Sequence, residues 1–278
     1  MLNIGFMQGR LSDMVDGRIQ SFPFSTWKEE FVIAHANNFN TIEWTIDSID
    51  IENNPILDPL MHTEINSLKE KYSIDIPSIT CDFFMEKPFF KVNNSKRTNR
   101  EIFLLDFFKK CSELNIIYIV IPLVDNGSIE NKIHEKIVLD FFLKNIDIIK
   151  KHNLQIIFES NFAPKKLKNF ISKFPKENFG INYDTGNSAS LGYSHEEEFD
   201  EYFEYIKNVH IKDRIFGGTT VPLGEGDANL SDILIDLVKR NYSRNLILQT
   251  ARHKNKHLEV LCNYREFVLN IINNYERK

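Results

Sequence analysis

Short apolar runs alternate with longer amphipathic segments along the whole chain. Residues 116–121 form a continuously apolar run, which is typical of a parallel strand buried on both faces. Residues 101–111 instead carry apolar side chains at i, i+3, i+4 and i+7, the spacing of a helix that lies on a sheet. The alternation of these two patterns indicates repeated βαβ units.

This alternation predicts eight strand–helix pairs. The strands are predicted near residues 3–7, 41–45, 76–81, 116–121, 154–159, 179–184, 207–212 and 245–249. The helices are predicted at about residues 26–38, 58–72, 97–114, 130–152, 164–173, 196–206, 229–241 and 257–275. Eight such pairs close a (β/α)8 barrel, an α/β fold that typically takes about 250 residues. No Gly/Ser-rich or Pro-rich linker divides the chain, so residues 1–278 are predicted to form a single TIM barrel domain.

The composition narrows the range of partners. Hydrophobic residues make up 42% of the chain and Phe occurs 23 times, which is enough for a large core. The net charge is −5 and no Lys/Arg-rich run appears, which argues against nucleic-acid binding. No apolar run reaches about 18 residues, so no membrane span is predicted. The three cysteines, Cys81, Cys111 and Cys262, have no CxxC spacing, and a cytoplasmic protein with reduced thiols is expected.

Three predicted strands carry, at or near their ends, side chains that can bind a metal. Glu159 ends the fifth strand, Asp184 ends the sixth, and His210 lies in the seventh. The carboxyl ends of all strands of a (β/α)8 barrel meet at one face, so these side chains are expected to lie side by side. Carboxylate and imidazole ligands suit Mn, Co, Zn, Fe or Mg. Each residue also has a structural alternative: a salt bridge for Glu159, a helix cap for Asp184 and a satisfied core position for His210.

Several motifs are similar to those of the xylose-isomerase-like TIM barrels. This superfamily includes sugar phosphate isomerases and epimerases, tagatose and psicose 3-epimerases, inosose dehydratases and endonuclease IV. The resemblance covers nearly the whole chain, and its most specific part is the His-x-Lys-Asp of the seventh strand with the Pro-Leu-Gly-Glu-Gly-Asp that follows. The motifs occupy residues 5–12, 159–160, 184–187, 209–213 and 222–227.

The resemblance implies one divalent metal ion, Mn, Co, Zn or Mg, held by four strand-end side chains. Glu159, Asp184 and His210 match three of these ligands. The fourth is a glutamate in the family, whereas the end of the eighth strand in this chain has Gln249. A glutamine binds a hard cation through its amide oxygen but does not take up a proton as a carboxylate does. Asn187 stands where many epimerases have a histidine that contacts the sugar, and it is expected to bind a substrate hydroxyl.

A site of this kind suits proton abstraction next to a carbonyl, through an enediolate. The chain is therefore expected to be a metal-dependent sugar isomerase or epimerase of carbohydrate metabolism. Glu159 is the first choice for the base. Glu43, at the end of the second strand, is a second acid–base candidate, and its alternative is hydrogen bonding across neighbouring strand ends. Lys212 completes the catalytic set, and Glu225 and Asp227 are expected to order the loop that contains them and to position Lys212.

Cationic side chains at the strand ends bear on the substrate. Arg10 follows the first strand, Lys212 and Arg214 stand at the end of the seventh, and Arg252 follows the eighth. Together they predict a cationic rim that binds the phosphate or carboxylate of an anionic sugar, with Glu225 also assigned to substrate binding. The alternative is that these cations neutralise acidic residues of the same face.

Other functions fit parts of the pattern. Because one of the family's two glutamate bases is replaced, a dehydratase reaction on a keto-polyol and a non-catalytic sugar-binding barrel are the alternatives to epimerisation. Endonuclease IV chemistry needs additional histidines for a zinc cluster, and most other histidines of this chain fall on predicted helices. The expected partner is thus a small sugar rather than nucleic acid, and the resemblance also makes a homo-oligomer an expectation.

Overall fold

Eight parallel strands close into a barrel in the computed structural model, which describes residues 3–277. Numbered in chain order, they are β1 (Asn3–Met7), β2 (Thr41–Thr45), β3 (Asp75–Thr80), β4 (Tyr118–Leu123), β5 (Gln155–Ser160), β6 (Phe179–Asp184), β7 (Ile206–Ile211) and β10 (Asn245–Leu248). Around the ring the order is β1-β10-β7-β6-β5-β4-β3-β2, and β1 pairs with both β10 and β2. The predicted (β/α)8 fold is confirmed.

Helices surround the barrel and bury one face each. In the helix that precedes β10, the buried residues Leu230, Ile233, Leu234 and Leu237 follow the i, i+3, i+4, i+7 spacing of an amphipathic helix. No helix within residues 3–277 is both long enough and apolar enough to cross a bilayer. The helices are α1 (Trp27–Ala36), α2 (His62–Tyr72), α3 (Asp82–Glu86), α4 (Asn94–Glu113), α5 (Lys132–Lys144), α6 (Ile146–Lys151), α7 (Pro164–Ile171), α8 (Thr185–Leu191), α9 (His195–Tyr202), α10 (Leu230–Lys239) and α11 (His257–Glu276).

The structure differs from the sequence prediction in its short elements. The predicted helix over residues 130–152 is divided into α5 and α6 at Asn145, whose side-chain amide donates to the Phe141 carbonyl at 2.7 Å and competes with the helical backbone bonds. The short helices α3 and α8 and the hairpin of β8 (Asp213–Arg214) and β9 (Thr220–Val221) were not predicted. Elements this short contain too few residues to show a period.

The loop after β1 is tied to the carboxyl ends of two barrel strands. Arg10 Nε donates to the carbonyl of Thr250 after β10 at 3.1 Å, and the Phe22 amide donates to the carboxylate of Asp47 after β2 at 2.8 Å. The backbone amides of Gly9 and Leu11 are held by the buried Glu30 of α1. These contacts place the loop at the mouth of the barrel.

Phenylalanine forms much of the layer between the barrel and its helices. The rings of Phe158 on β5 and Phe179 on β6 stack at a centroid distance of 6.1 Å. Phe142 of α5 packs edge-on against both rings, at 5.3 and 5.9 Å, and Phe174 stacks on Phe179 at 4.6 Å. This cluster fixes α5 and the segment after α7 against β5 and β6, the strands that carry Glu159 and Asp184.

We expect Phe158→Ala to lower the free energy of unfolding by about 3–5 kcal/mol, because Phe158 is fully buried and its removal leaves a cavity. Urea unfolding followed by circular dichroism measures the change. Phe216→Ala is the matched control, since the Phe216 side chain is 67% exposed, and a loss near about 0.5 kcal/mol is expected. Equal losses in the two variants would contradict the role of the phenylalanine cluster.

Candidate metal centre at the barrel mouth

Three adjacent strands bring Glu159, Asp184 and His210 together. Strands β5, β6 and β7 are neighbours in the ring, and Asp184 lies opposite His210 in the β6–β7 register. One ligand atom from each side chain lies within 4.8 Å of the others, and all three residues are buried. Two carboxylates and one imidazole at this spacing form a donor set that fits a divalent cation.

The carboxylate of Glu159 is held by two asparagines. Its Oε2 accepts from Asn182 Nδ2 at 2.8 Å, and its Oε1 accepts from Asn187 Nδ2 at 2.6 Å. Glu159 is 6% exposed, so these bonds replace most of the water that a free carboxylate would bind. Asn187 was predicted to bind a substrate hydroxyl, and the structure places it against Glu159 at the edge of the cluster.

Glu43 lies beneath the cluster and binds the far side of the His210 ring. Its Oε1 is 2.6 Å from His210 Nε2, and the residue has no exposed surface. A histidine that binds a metal through one nitrogen commonly donates the other N–H to a carboxylate, which fixes the ring. This placement favours the hydrogen-bonding alternative for Glu43 over direct contact with a substrate. Its other donors are Ser78, Thr80 and Asn208.

The second nitrogen of His210 faces the cluster. Nδ1 is 3.3 Å from Glu159 Oε2 and 3.0 Å from Asn182 Nδ2, so a protonated ring donates to Glu159 and a neutral ring accepts from Asn182. Burial opposes the charged form, but the charge of Glu43 and bonds to Glu159 and Glu43 outweigh it and raise the pKa of His210 to about 10. His210 is therefore protonated at neutral pH.

Asp184 has two structural partners. Its Oδ1 caps α8 by accepting from the backbone N–H of Asn187 at 2.8 Å, so Asp184 also has the helix-cap role that was its structural alternative. Its Oδ2 is 2.8 Å from Lys212 Nζ. Burial would raise the pKa of Asp184, but the charges of Lys212 and His210 lower it. The stem of Lys212 passes over Gly186, where an added Cβ would lie 2.7 Å from Lys212 Cγ, so this glycine makes room for the ion pair.

Gln249 follows β10 and brings a free acceptor to the mouth. The residue is 8% exposed, and its Oε1 is buried without a hydrogen-bond partner among residues 3–277. An unpartnered buried amide oxygen is uncommon and costs free energy. A cation or a substrate hydroxyl would satisfy this oxygen, as the fourth ligand position implied by the resemblance requires.

The arginines of the mouth make no direct ion pair with a carboxylate in the described part of the chain. Within residues 3–277, no carboxylate oxygen lies within 4.0 Å of a guanidinium nitrogen of Arg10, Arg214 or Arg252. Arg214 instead donates to Asn187 Oδ1 at 2.8 Å and to the Gly218 carbonyl at 2.7 Å. Of the four predicted rim cations, Lys212 follows the neutralising alternative because it pairs with Asp184, whereas the three arginines make no ion pair within residues 3–277.

Glu225 is exposed and does not position Lys212. The amine of Lys212 pairs with Asp184 instead. The loop after β9 is organised by Asp213, whose carboxylate accepts from the backbone amides of Gly224 at 2.8 Å and of Ala228 at 3.0 Å. Asp227, which is also exposed, contributes by accepting from the Phe216 backbone amide at 2.6 Å, so it orders the loop but does not position Lys212.

Asp82, the first residue of α3 and two positions after the end of β3, was predicted from the sequence only as a loop residue. It is 8% exposed, and no hydrogen bond or ion pair to its carboxyl occurs in the described part of the chain. Burial and the charge of Glu159 raise the pKa of Asp82 to about 8, while Lys212 lowers it. The available sequence signal was the same as for Glu159: a carboxylate directly after a buried strand.

Residues 31–266 match the family described as xylose isomerase-like TIM barrel. The sequence has no significant match among curated proteins. A xylose isomerase domain protein from Planctomyces limnophilus is 14% identical, with a TM-score of 0.76 over 100% of this chain and 99% of its own.

Two other solved structures have the same fold. The IolI protein with a bound zinc atom is 16% identical, with a TM-score of 0.77 over 99% of both chains. The D-psicose 3-epimerase from Clostridium cellulolyticum H10, solved with D-tagatose, is 11% identical, with a TM-score of 0.72 over 99% of both chains. At these identities the likeness shows the fold.

We expect metal binding at pH 7 to release about one proton, because the His210 ring must lose the proton on Nδ1 before that nitrogen can bind a cation. Calorimetric titration with Zn²⁺ in two buffers of different ionisation enthalpy measures the number. Glu43→Gln is the comparison variant: without the carboxylate that favours the imidazolium, the release should fall. A wild-type titration without proton release would show that the ring is already neutral.

Proposed function

Because this chain belongs to the xylose isomerase-like TIM barrel family, we propose that it is a metal-dependent sugar isomerase or epimerase. The observation that carries the proposal is the buried cluster of Glu159, Asp184 and His210, whose ligand atoms converge within 4.8 Å. The fold shared with a D-psicose 3-epimerase and with the zinc-containing IolI protein supports it. The substrate class is a polyhydroxylated aldose or ketose.

The proposed ligands are Glu159, Asp184, His210 and Gln249. A divalent cation held by them would polarise a carbonyl oxygen and stabilise the negative charge that develops when the neighbouring carbon loses a proton. Gln249 contributes a neutral oxygen where a glutamate would add a charge. The proposed site consequently carries one negative charge fewer than a site with three carboxylates and one histidine.

Glu159 is the proposed base. Asn182 and Asn187 each hold one of its oxygens, so the carboxylate is oriented at the edge of the cluster rather than free to rotate. Orientation of this kind keeps the base in line with the carbon–hydrogen bond that it breaks. Lys212 Nζ, at 2.8 Å from Asp184, supplies a positive charge beside the same group of carboxylates.

Asp82 is the proposed acid that completes the reaction. Strand β3 lies across the ring from β7, so Asp82 and His210 stand on opposite sides of the mouth. Within residues 3–277 the carboxyl of Asp82 has no hydrogen-bond or ion-pair partner, and burial, with the charge of Glu159, raises its pKa to about 8, so it holds a proton at neutral pH. Asp82 thereby takes over the proton transfer for which Gln249 has no carboxylate.

The same protonated Asp82 supports a second candidate, a dehydratase. If a hydroxyl beta to the carbonyl faces Asp82, proton donation to that hydroxyl expels water after Glu159 has removed the first proton. The two reactions share every residue of the site and differ in which atom of the substrate lies next to Asp82. Product analysis separates them: an isomer has the mass of the substrate, and a dehydration product is lighter by one water.

We expect the purified chain to bind about one Mn²⁺, Co²⁺ or Zn²⁺ ion, and Glu159→Ala and His210→Ala to lose it, because each removes a ligand of the buried cluster. Elemental analysis after dialysis gives the stoichiometry. Gln249→Glu should bind the ion more tightly, since it adds a negative charge.

Asp125→Asn is the matched control, because Asp125 also follows a barrel strand but is exposed and lies outside the cluster. It should retain the ion. Failure of the wild-type chain to bind any of these metals after reconstitution would overturn the proposal and leave the non-catalytic barrel. Unchanged affinity in Gln249→Glu would place Gln249 outside the ligand set.

We expect Asp82→Asn to lower net conversion of a ketohexose about 100-fold or more while the metal stays bound, because the variant lacks the proton donor. D-fructose, D-tagatose and their 6-phosphates are the test substrates. Glu159 still removes and returns a proton on its own side, so exchange of substrate hydrogen with deuterated water should persist. Parallel loss of exchange and conversion would contradict the division of roles.

A further inference from the structure

The hairpin of β8 and β9 lies beside the candidate metal centre and carries Arg214. Its two strands pair in antiparallel fashion. Its turn is fixed to the end of α8, because the backbone N–H of Gly217 donates to the carbonyl of Ser190 at 2.9 Å. The hairpin is therefore anchored on the same short helix that contains Asn187.

The guanidinium of Arg214 joins the hairpin to Asn187. Its Nε and Nη2 both donate to the carbonyl of Gly218, at 3.2 and 2.7 Å, and its Nη1 donates to Asn187 Oδ1 at 2.8 Å. A guanidinium is planar and its donors have fixed directions, so it can hold two acceptors in one geometry. Arg214 thereby ties the side-chain amide of Asn187 to the turn of the hairpin.

The amide of Asn187 extends this contact to the carboxylate of Glu159. Because Asn187 Oδ1 accepts from Arg214, Nδ2 is the atom that faces Glu159 Oε1, at 2.6 Å. The reversed amide would place its oxygen against the carboxylate and its NH2 group against the guanidinium, and both contacts would be repulsive. Arg214 therefore selects the orientation of Asn187 in which a donor points at Glu159.

The other oxygen of Glu159 is supported from the barrel interior. Asn182 Nδ2 donates to Glu159 Oε2 at 2.8 Å, and Asn182 Oδ1 accepts from Asn208 Nδ2, also at 2.8 Å. Asn182 and Asn208 are both buried, whereas Arg214 is partly exposed at the rim of the mouth. One oxygen of Glu159 is thus held from the core and the other from a surface hairpin, through an amide that a charged donor polarises.

We propose that Arg214 is a positioning residue, which orients Glu159 for the divalent cation by fixing the amide of Asn187. This inference rests on the proposed function for the role of Glu159 as a metal ligand. Groups that hydrogen-bond a metal ligand orient it and commonly control the affinity of the site. Arg214 acts one contact further out, through Asn187.

The sign of the effect on metal affinity separates positioning from the effect of charge alone. Removing a positive charge near a cation site strengthens cation binding when only the charge matters. Removing the group that orients Asn187 weakens cation binding, because Glu159 is then free to leave the geometry that the cation requires. The two roles therefore predict opposite changes when Arg214 is replaced by a neutral residue.

The test is calorimetric titration of the EDTA-treated chain with Mn²⁺. We expect Arg214→Gln to weaken Mn²⁺ binding about fivefold or more. Arg214→Lys should also bind Mn²⁺ less tightly than the wild type, because an ammonium group lacks the fixed fork that holds two acceptors. Arg244→Gln is the matched control and should bind as the wild type does: Arg244 is also partly buried and donates to a backbone carbonyl, but it precedes β10 at the opposite end of the barrel.

A double variant shows whether Arg214 acts through Asn187. We expect Asn187→Ala to weaken Mn²⁺ binding about tenfold, since it removes the donor to Glu159. Adding Arg214→Gln to Asn187→Ala should cause no further loss, because the contact that Arg214 supports is already absent. Losses that multiply in the double variant would show that Arg214 acts by another route, and would overturn the inference.

Nuclear magnetic resonance of the EDTA-treated, ¹⁵N-labelled chain provides a measurement that needs no metal. The Nδ2 proton signals of Asn187 can be identified by their absence from Asn187→Ala. They should shift in Arg214→Gln, because the amide loses its charged partner. The corresponding signals of Asn182 should stay in place, since Asn182 is supported by Asn208.

Three further results would overturn the inference. The first is Mn²⁺ affinity in Arg214→Gln that equals or exceeds that of the wild type, with both proteins shown to be folded by circular dichroism. The second is full wild-type affinity in Arg214→Lys, which would show that charge alone suffices. The third is an unchanged set of Asn187 signals in Arg214→Gln.

Failure of the proposed function gives a different result. A wild-type chain that binds none of Mn²⁺, Co²⁺ and Zn²⁺ would overturn the metal centre, and the signals of Asn187 alone would then decide whether Arg214 orients this amide. A wild-type chain that binds metal while Arg214→Gln binds it equally well would overturn the role of Arg214 and leave the metal centre in place.

Discussion

The contact between Glu43 and His210 is the interaction on which the rest of the mouth depends. It joins β2 to β7 across the inside of the ring, between residues 167 positions apart in sequence, and both side chains have no exposed surface. Such a pair is stable only when its remaining hydrogen-bonding capacity is filled. Ser78, Thr80 and Asn208 do this for Glu43. In many barrels branched apolar side chains fill the interior in layers, whereas here a polar layer supports the candidate metal centre.

The charges at the mouth are divided between two regions. The carboxylates of Asp82, Glu159 and Asp184 follow or end β3, β5 and β6, and the arginines Arg10 and Arg252 follow β1 and β10. Lys212 pairs with Asp184 on the carboxylate side. On the other side, Arg10 and Arg252 make no ion pair within residues 3–277.

The family resemblance implies a glutamate at the position of Gln249, and the difference has a counterpart at Asp82, on another side of the mouth. Gln249 retains an oxygen that can bind a cation, and its Oε1 is buried without a partner. It has no proton to exchange at neutral pH, while Asp82, the first residue of α3 just after β3, is buried and has no partner for its carboxyl among residues 3–277. In the proposed mechanism, ligand binding and proton transfer, which one glutamate could serve, are performed by two residues.

The sequence by itself determined the barrel and the candidate metal ligands. Strand and helix periodicity are local patterns, and strand ends converge in every barrel, so Glu159, Asp184 and His210 could be placed together before any coordinates. The tertiary structure alone decided which groups have partners. Glu43 hydrogen-bonds His210, Glu225 is exposed, and Asp82 and Arg10 are buried without an ion-pair partner among residues 3–277. The reason is physical: a side chain's partner is set by strand register and ring closure between distant segments, which no local window of sequence contains.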